Sequence, residues 1–277
     1  MRGLRAPLAG LGLVIALGSA AWTGSAWTGS AWAGCFTARR VVLPEQAKVL
    51  PHLSNGQAGR ELAEAVWRGD LAAARAGLER NPGLATTAVV DDPALHSQPD
   101  GRYGDLLTFA VARCDRTLLA GLLAAGLAPD GARPGQALSL ALLSDEPRLP
   151  EILLRAGASP DPQKRGGVDV FQSVAGFNHV GAAMMLLRHG LDVRWADEFG
   201  RTHLSTALAM RVYRVAELLV EAGADPWHAD RGGFTPAHTL ARASSAPDAA
   251  ENAARERLTA AARAGGRPWP PPAPPRR

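Results

Sequence analysis

Leu218-Leu219-Val220-Glu221-Ala222-Gly223-Ala224-Asp225-Pro226 runs into Trp227-His228-Ala229-Asp230-Arg231-Gly232-Gly233, and then into Phe234-Thr235-Pro236-Ala237-His238-Thr239-Leu240-Ala241. Four local signals follow one another. An apolar run ends at a glycine, which terminates a helix because it accepts positive φ without a Cβ penalty. Asp, Pro and Gly then mark an exposed loop. Thr followed by Pro opens a new helix, the threonine capping free N–H groups and the proline occupying an early position that needs no donor.

The same register recurs upstream. Gly126, Gly157, Gly190 and Gly223 lie 31, 33 and 33 residues apart. Four positions before each stands Leu122, Leu153, Leu186 or Leu219, and three before stands Leu123, Leu154, Leu187 or Val220. A helix that must offer apolar side chains to neighbours on both sides explains this fixed pair. Units of this length that cannot bury their own apolar faces are expected to stack.

The stretch resembles an ankyrin repeat, whose pattern runs Leu-Leu-Leu-x-x-Gly-Ala-Asp, an Asp-x-x-Gly turn, then Thr-Pro-Leu-His-x-Ala. The resemblance implies an all-α ankyrin-repeat solenoid of about five helix-turn-helix units with a C-terminal capping helix. It covers roughly 60–264, with one divergent element after another. Unit one places helices over Glu61–Trp67 and Leu71–Arg80, with Asn81 at the left-handed stop. Units two to four open at Thr108, Leu138 and Phe171. Unit five opens at Thr202, with His203 in the family's proline place and Ser205 in its histidine place. Only Thr235-Pro236-Ala237-His238 is near the full tetrapeptide, and loss of such caps is worth ~1 kcal/mol per unit.

Asn81 to Gly126 spans 45 residues, so an insertion is expected at about 88–104, rich in Asp, Pro, Gly and Ser. Residues 35–59 read as a linker. An alanine-rich helix running from Ser244 to about Ala264 caps the array, and 265–277 is a Pro-rich basic tail expected to be extended and unpacked.

The beginning of the chain reads as an address. Arg2 and Arg5 precede an apolar run, Ala6 to Leu17, and small residues follow. This is the build of an export signal over 1–34. Ala31-Trp32-Ala33 fits ordinary cleavage. Ala33-Gly34-Cys35 resembles a bacterial lipobox, with Trp32 where leucine is usual, and would make Cys35 a lipidation site. An uncleaved anchor is a third reading, because Ala6–Ala33 is long enough to span a bilayer. Each places the bulk of the chain outside the cytoplasm, in the periplasm or facing it.

Composition limits function. The 277 residues are 47% hydrophobic and 20% charged, enough for a sizeable core. Net charge is +4, falling to about +2 without Arg2 and Arg5, which is too weak and too scattered for nucleic acid. Two cysteines exclude a disulfide framework but not a single bridge. Cys114, in the Arg113-Cys114-Asp115 turn, is read as a free, unreactive thiol, with a redox role or a bridge to Cys35 as alternatives. No hydrolase, zinc-protease or phosphate-loop motif occurs, so no catalysis, metal or cofactor is expected. His179, His189 and His238 fall at structural positions.

What remains is surface. In this family, loop tips and first helices line the face that binds partners. Arg194, Trp195, Phe199, Arg201, Trp227, His228, Arg231 and Phe234 fall there, and aromatics beside arginines are the usual material of interface hot spots. Lys164, Arg165 and Asp169 extend this strip into unit four. Trp195 and Trp227 have a second reading, as covers over the gaps between loops. Trp227→Ala is then expected to weaken binding without unfolding the array. The expected function is protein binding by a monomer of the bacterial envelope, as an immunity protein against a periplasm-delivered toxin or as accessory partner or scaffold of a periplasmic enzyme.

Overall fold

The computed structural model describes residues 35–36, 46–90, 104–161, 168–244 and 248–274, all within the second of the chain's two units, 31–277. The expected signal over 1–34, Lys164, Arg165 and most of the expected insertion therefore lie outside the described residues. The helices are α1 (Gln46–Val49), α2 (Gly56–Arg68), α3 (Leu71–Arg80), α4 (Leu106–Ala112), α5 (Arg116–Ala124), α6 (Gln136–Leu142) and α7 (Arg148–Arg155). They continue with α8 (Val170–Gly176), α9 (Val180–Arg188), α10 (His203–Ala209), α11 (Tyr213–Glu221), α12 (Pro236–Ala241) and α13 (Ala249–Ala264). Among the described residues no strand forms; Leu53–Val89, Ala88–Asp105 and Ala196–Thr202 pair as isolated bridges.

Helices pair as α2–α3, α4–α5 and onward to α12–α13, giving five units and a terminal pair. The first helices of successive units pack on one another from α2 through α12. In the other layer α3, α5 and α7 stack in series, as do α9, α11 and α13. Leu122, Leu153, Leu186 and Leu219 are fully buried between these layers, each worth about 1.5–3 kcal/mol of transfer free energy. The residues three before the glycines are less enclosed: Leu154 is buried, whereas Leu123, Leu187 and Val220 are half-buried.

The stop glycines have φ of +99, +101, +90 and +98°, and nothing lies within 4 Å of where a Cβ would stand. Backbone conformation alone therefore selects glycine there. The residue after each returns its N–H to the carbonyl of the buried leucine, at 3.3 Å for Leu127 to Leu122 and 3.0 Å for Leu191 to Leu186. One residue thus supplies both the apolar side chain and the carbonyl that closes the helix end.

Asn81 does not take the expected left-handed stop. Its φ is −143°, and its side chain accepts the Gly83 N–H to start a 3₁₀ turn over Pro82–Thr86. Pro82 explains this, since proline disfavours helical conformation in the preceding residue. The openings of units two, three and four also shift, to Leu106, Gln136 and Val170. Asp105 caps α4 through the Thr108 N–H, and Asp169 caps α8 through the Gln172 N–H. The aspartates occupy the threonine place, three residues before Thr108 and two before Phe171. Units two and four keep their caps, and Asp169 of the expected strip serves as one of them.

Residues before α2 are not a featureless linker, because α1 and a 3₁₀ turn at Leu50–His52 precede it and α2 starts at Gly56. The end of this segment holds the start of the expected insertion: Ala88 accepts the Ser54 N–H at 2.9 Å, and Val90 donates to His52 at 2.8 Å.

Cys35 is buried and bonded to Cys114, with Cα atoms 5.9 Å apart. Cys114 is therefore not a free thiol. Its φ of +60° turns the chain between α4 and α5. The Cys35 carbonyl also accepts the Asp145 N–H in the next inter-helix turn, so two attachments hold this segment across units two and three. A sulfur held in a disulfide has no thiol to carry a thioether-linked lipid. Lipidation of Cys35 and this bridge exclude one another.

The C-terminal half is closed by α13. It buries Glu251, Ala254, Leu258 and Ala262, one face at helical spacing. Helix α11 lacks a side-chain cap of its own at Val212. Glu251 supplies one from α13, accepting the Arg214 N–H at 3.0 Å with one oxygen and the Asn178 side-chain amide at 3.0 Å with the other. A carboxylate at a helix N-terminus meets both unpaired N–H groups and the positive end of the dipole.

The tail is not unpacked. Past α13, Trp269 stands 6.5 Å edge-on to Trp227 and Arg263 lies 5.4 Å over the Trp269 ring. The Pro272 carbonyl accepts from His238 Nε2 at 2.9 Å. The tail thus folds back against the loop that carries Trp227. Apolar rings and one saturated carbonyl give it the packing that a solvated linker lacks.

Candidate functional site

Two loops carry most of the predicted strip. In the first, Asp197 accepts the Phe199 and Arg201 N–H groups at 2.9 and 2.8 Å through one oxygen. Its other oxygen takes the Arg201 guanidinium at 2.8 Å. In the second, Asp230 accepts the Gly232 and Phe234 N–H groups at 2.8 and 2.9 Å. Each aspartate folds its turn around itself and leaves one phenylalanine projecting outward, Phe199 at 53% and Phe234 at 45% exposure. The loops touch edge to edge. Arg231 donates its N–H to the Phe199 carbonyl at 2.9 Å, and Gly200 passes so near Asp230 that a Cβ would meet its Cα at 3.0 Å.

The arginines attach to the aromatics. Arg201 lies 5.0 Å from the Phe199 ring centre and Arg242 lies 5.9 Å from that of Phe234. Arg194 is exposed, its N–H turned to the Asp192 carboxylate. His228 is half-buried and donates its backbone N–H to the Asp225 carbonyl.

The two tryptophans behave differently from the phenylalanines. Trp195 is half-buried and stacks on His203, with ring centres 5.2 Å apart. His203 is itself buried, between Trp195 and Phe171, and reaches Asp161 at 3.3 Å. Trp227 is also half-buried, against Trp269 and under Arg267 at 5.3 Å. Each ring is thus partly covered by a neighbouring element of the chain. Truncating Trp227 would detach the tail as well as remove a surface ring, so Trp227→Ala is not a clean probe of binding.

The histidines read as structural have structural partners. His179 caps α9 through the Ala182 N–H, and His189 faces Glu151 at 3.5 Å. His238 Nδ1 accepts the Thr235 N–H at 3.0 Å, completing the capping box of α12. Among the described residues no group of three metal-ligating side chains converges.

Sequence reasoning missed Met210, Arg211 and Arg242. They stand at the ends of first helices, and Arg211 and Arg242 share a groove with Phe234 that forms only where α10 meets α12.

Asp197 sets the acid response of this surface. Burial disfavours its charge, but the Arg201 guanidinium and the backbone N–H groups of Arg201 and Phe199 outweigh that and hold its carboxyl below the ordinary range. A lowered folded value contributes stability that is present above the unfolded value and lost as pH falls through the folded one. Urea unfolding below about pH 4 is therefore expected to show a shallower acid-side decline for Asp197→Asn than for wild type. Identical slopes would show that the loop does not bind its charge this way.

Comparison with known proteins supports the architecture. No family model matches the chain, and no curated protein matches it. Among solved structures, the ankyrin repeat domain of Bcl-3, a member of the IkappaB family, superposes with a TM-score of 0.52 at 18% identity, covering 73% of this chain and 85% of that one. An ankyrin repeat domain from Acinetobacter baumannii AYE gives 0.49 at 19% identity, covering 73% and 96%.

Proposed function

We propose that this chain, an ankyrin-repeat solenoid in fold, is an exported, non-enzymatic protein that grips a partner protein through the loop surface of units five and six. The observation that carries this reading is the pair of exposed phenylalanines, Phe199 and Phe234, each beside an arginine on adjacent, hydrogen-bonded turns. Large apolar rings held outward by rigid turns lose little entropy when covered, which suits them to anchor an interface. Two features support export: the basic, apolar and small-residue order of the first 34 residues, and the Cys35–Cys114 bridge, a bond that persists in oxidising compartments. Within the periplasm, we read the partner as a delivered toxin and this chain as its immunity protein, since a rigid surface neutralises an enzyme by covering its site.

The test is affinity isolation of the tagged protein from the periplasm, followed by titration of the retained protein. The double variant Phe199→Ala/Phe234→Ala is expected to bind at least about tenfold more weakly, which is 1.4 kcal/mol, with an unchanged Tm. No retained protein, or equal affinity, would overturn the reading. Restored growth of cells exposed to the retained protein marks immunity. A retained resident enzyme whose activity changes with this chain marks the accessory role instead.

A further inference from the structure

Between the ends of α10 and α12 lies a groove of about 310 Å³. Its floor holds Leu208 and Tyr213, both buried, and its rim carries Phe234, Arg211 and Arg242. Met210, 39% exposed, precedes Arg211 in the turn. None of the residues lining the groove is acidic. His238 also borders it, but both its ring nitrogens are engaged, one by Thr235 and the other by Pro272.

Arg242 differs from Arg201, which Asp197 neutralises through a 2.7 Å pair. Arg242 meets the Phe234 ring through its π-face, an arrangement that uses none of its five N–H donors. Arg211 donates to the Ser244 hydroxyl at 3.2 Å, and both residues line the groove. An apolar floor beside the Arg242 guanidinium, with no acidic residue in the groove lining, lacks an anion and an apolar side chain.

We propose that this groove is the anchor point for an acidic segment of the partner protein, one carboxylate pairing with Arg242 and an adjacent apolar side chain covering Phe234 and the groove floor. The pairing follows from the planar fork of arginine, which matches a carboxylate bidentately. This inference rests on the protein-binding reading and deepens it by naming the chemistry of the partner's contact.

The test is selection of a random peptide library displayed on phage against the full, oxidised protein, with Arg242→Glu selected in parallel. Enriched sequences are expected to carry Asp or Glu beside a large apolar residue. The best of them, as a synthetic peptide, is expected to bind Arg242→Glu at least about tenfold more weakly, with its affinity falling as salt rises from about 50 to about 500 mM. Phe234→Ala is expected to weaken it too, and Arg242 is exposed, so both variants should melt as wild type does. No enrichment, enrichment without acidic residues, or equal binding to Arg242→Glu would overturn the proposal. If a natural protein partner is retained equally by wild type and Arg242→Glu, this anchor is wrong while the protein-binding reading stands. If wild type retains no protein at all, that reading fails first.

Discussion

Leu186→Ala is expected to destabilise the solenoid by about 3–4 kcal/mol, the range for emptying a fully buried leucine site. Leu186 is fully buried and belongs to α9, and its carbonyl closes that helix by accepting from Leu191. The carbonyl survives the substitution, so the loss reports side-chain packing alone. Leu187→Ala, one residue on and half-buried, should cost less than half as much. The consequence is larger than the number suggests, because each unit of a solenoid is stabilised by its immediate neighbours. Weakening unit four should separate the unfolding of the units before it from those after it. Two calorimetric transitions, or a denaturant slope reduced below that of wild type, would record this. Equal costs for Leu186→Ala and Leu187→Ala would show that the glycine register does not define the packed face.

Removing the disulfide should have an effect of similar size through a different mechanism. The bridge closes a loop of 79 residues, and the chain-entropy model sets its contribution at about 4–5 kcal/mol. Cys35→Ala leaves a small apolar residue in a buried position, so it introduces no unpaired polar group. The variant is expected to unfold at lower denaturant, and wild type in reducing buffer should match it. The variant itself should be indifferent to reductant. A wild type equally stable with and without reductant would show that the segment carrying Cys35 adds nothing to the folded array. The comparison also bears on export, because the bridge stabilises the chain only where thiols oxidise.

How far the residues announced this structure depended on how local the cause was. The stop glycines, the leucines before them and the Thr235–His238 helix start were legible, because each is set by the backbone within a few residues. The paired loops around Asp197 and Asp230 were legible as turns for the same reason. The openings of α4 and α8 were misplaced because aspartate replaces threonine as the cap, and a tetrapeptide pattern does not register a chemically equivalent residue. The role of Glu251 had no local signal at all. It lies 37 residues from the amide it caps, and only the packing of α13 on α11 brings the two together.

The candidate site divides along the same line. Its eight residues fall on two loops as the register requires, yet their partners decide what each can do. Trp195 and Trp227 carry two readings in the sequence, anchor or gap cover, and only stacking places one ring on His203 and the other against Trp269. Phe199 and Phe234 keep their exposure because no neighbouring unit reaches over them, and the groove beside Phe234 exists only where α10 meets α12. The repeat, its helix ends and its turns could be read from residue order, since these follow from short-range conformational preference. Tertiary structure alone decided which aromatic rings stay outside, where Cys35 docks and how the tail lies, because those depend on contacts between residues that chain order keeps far apart.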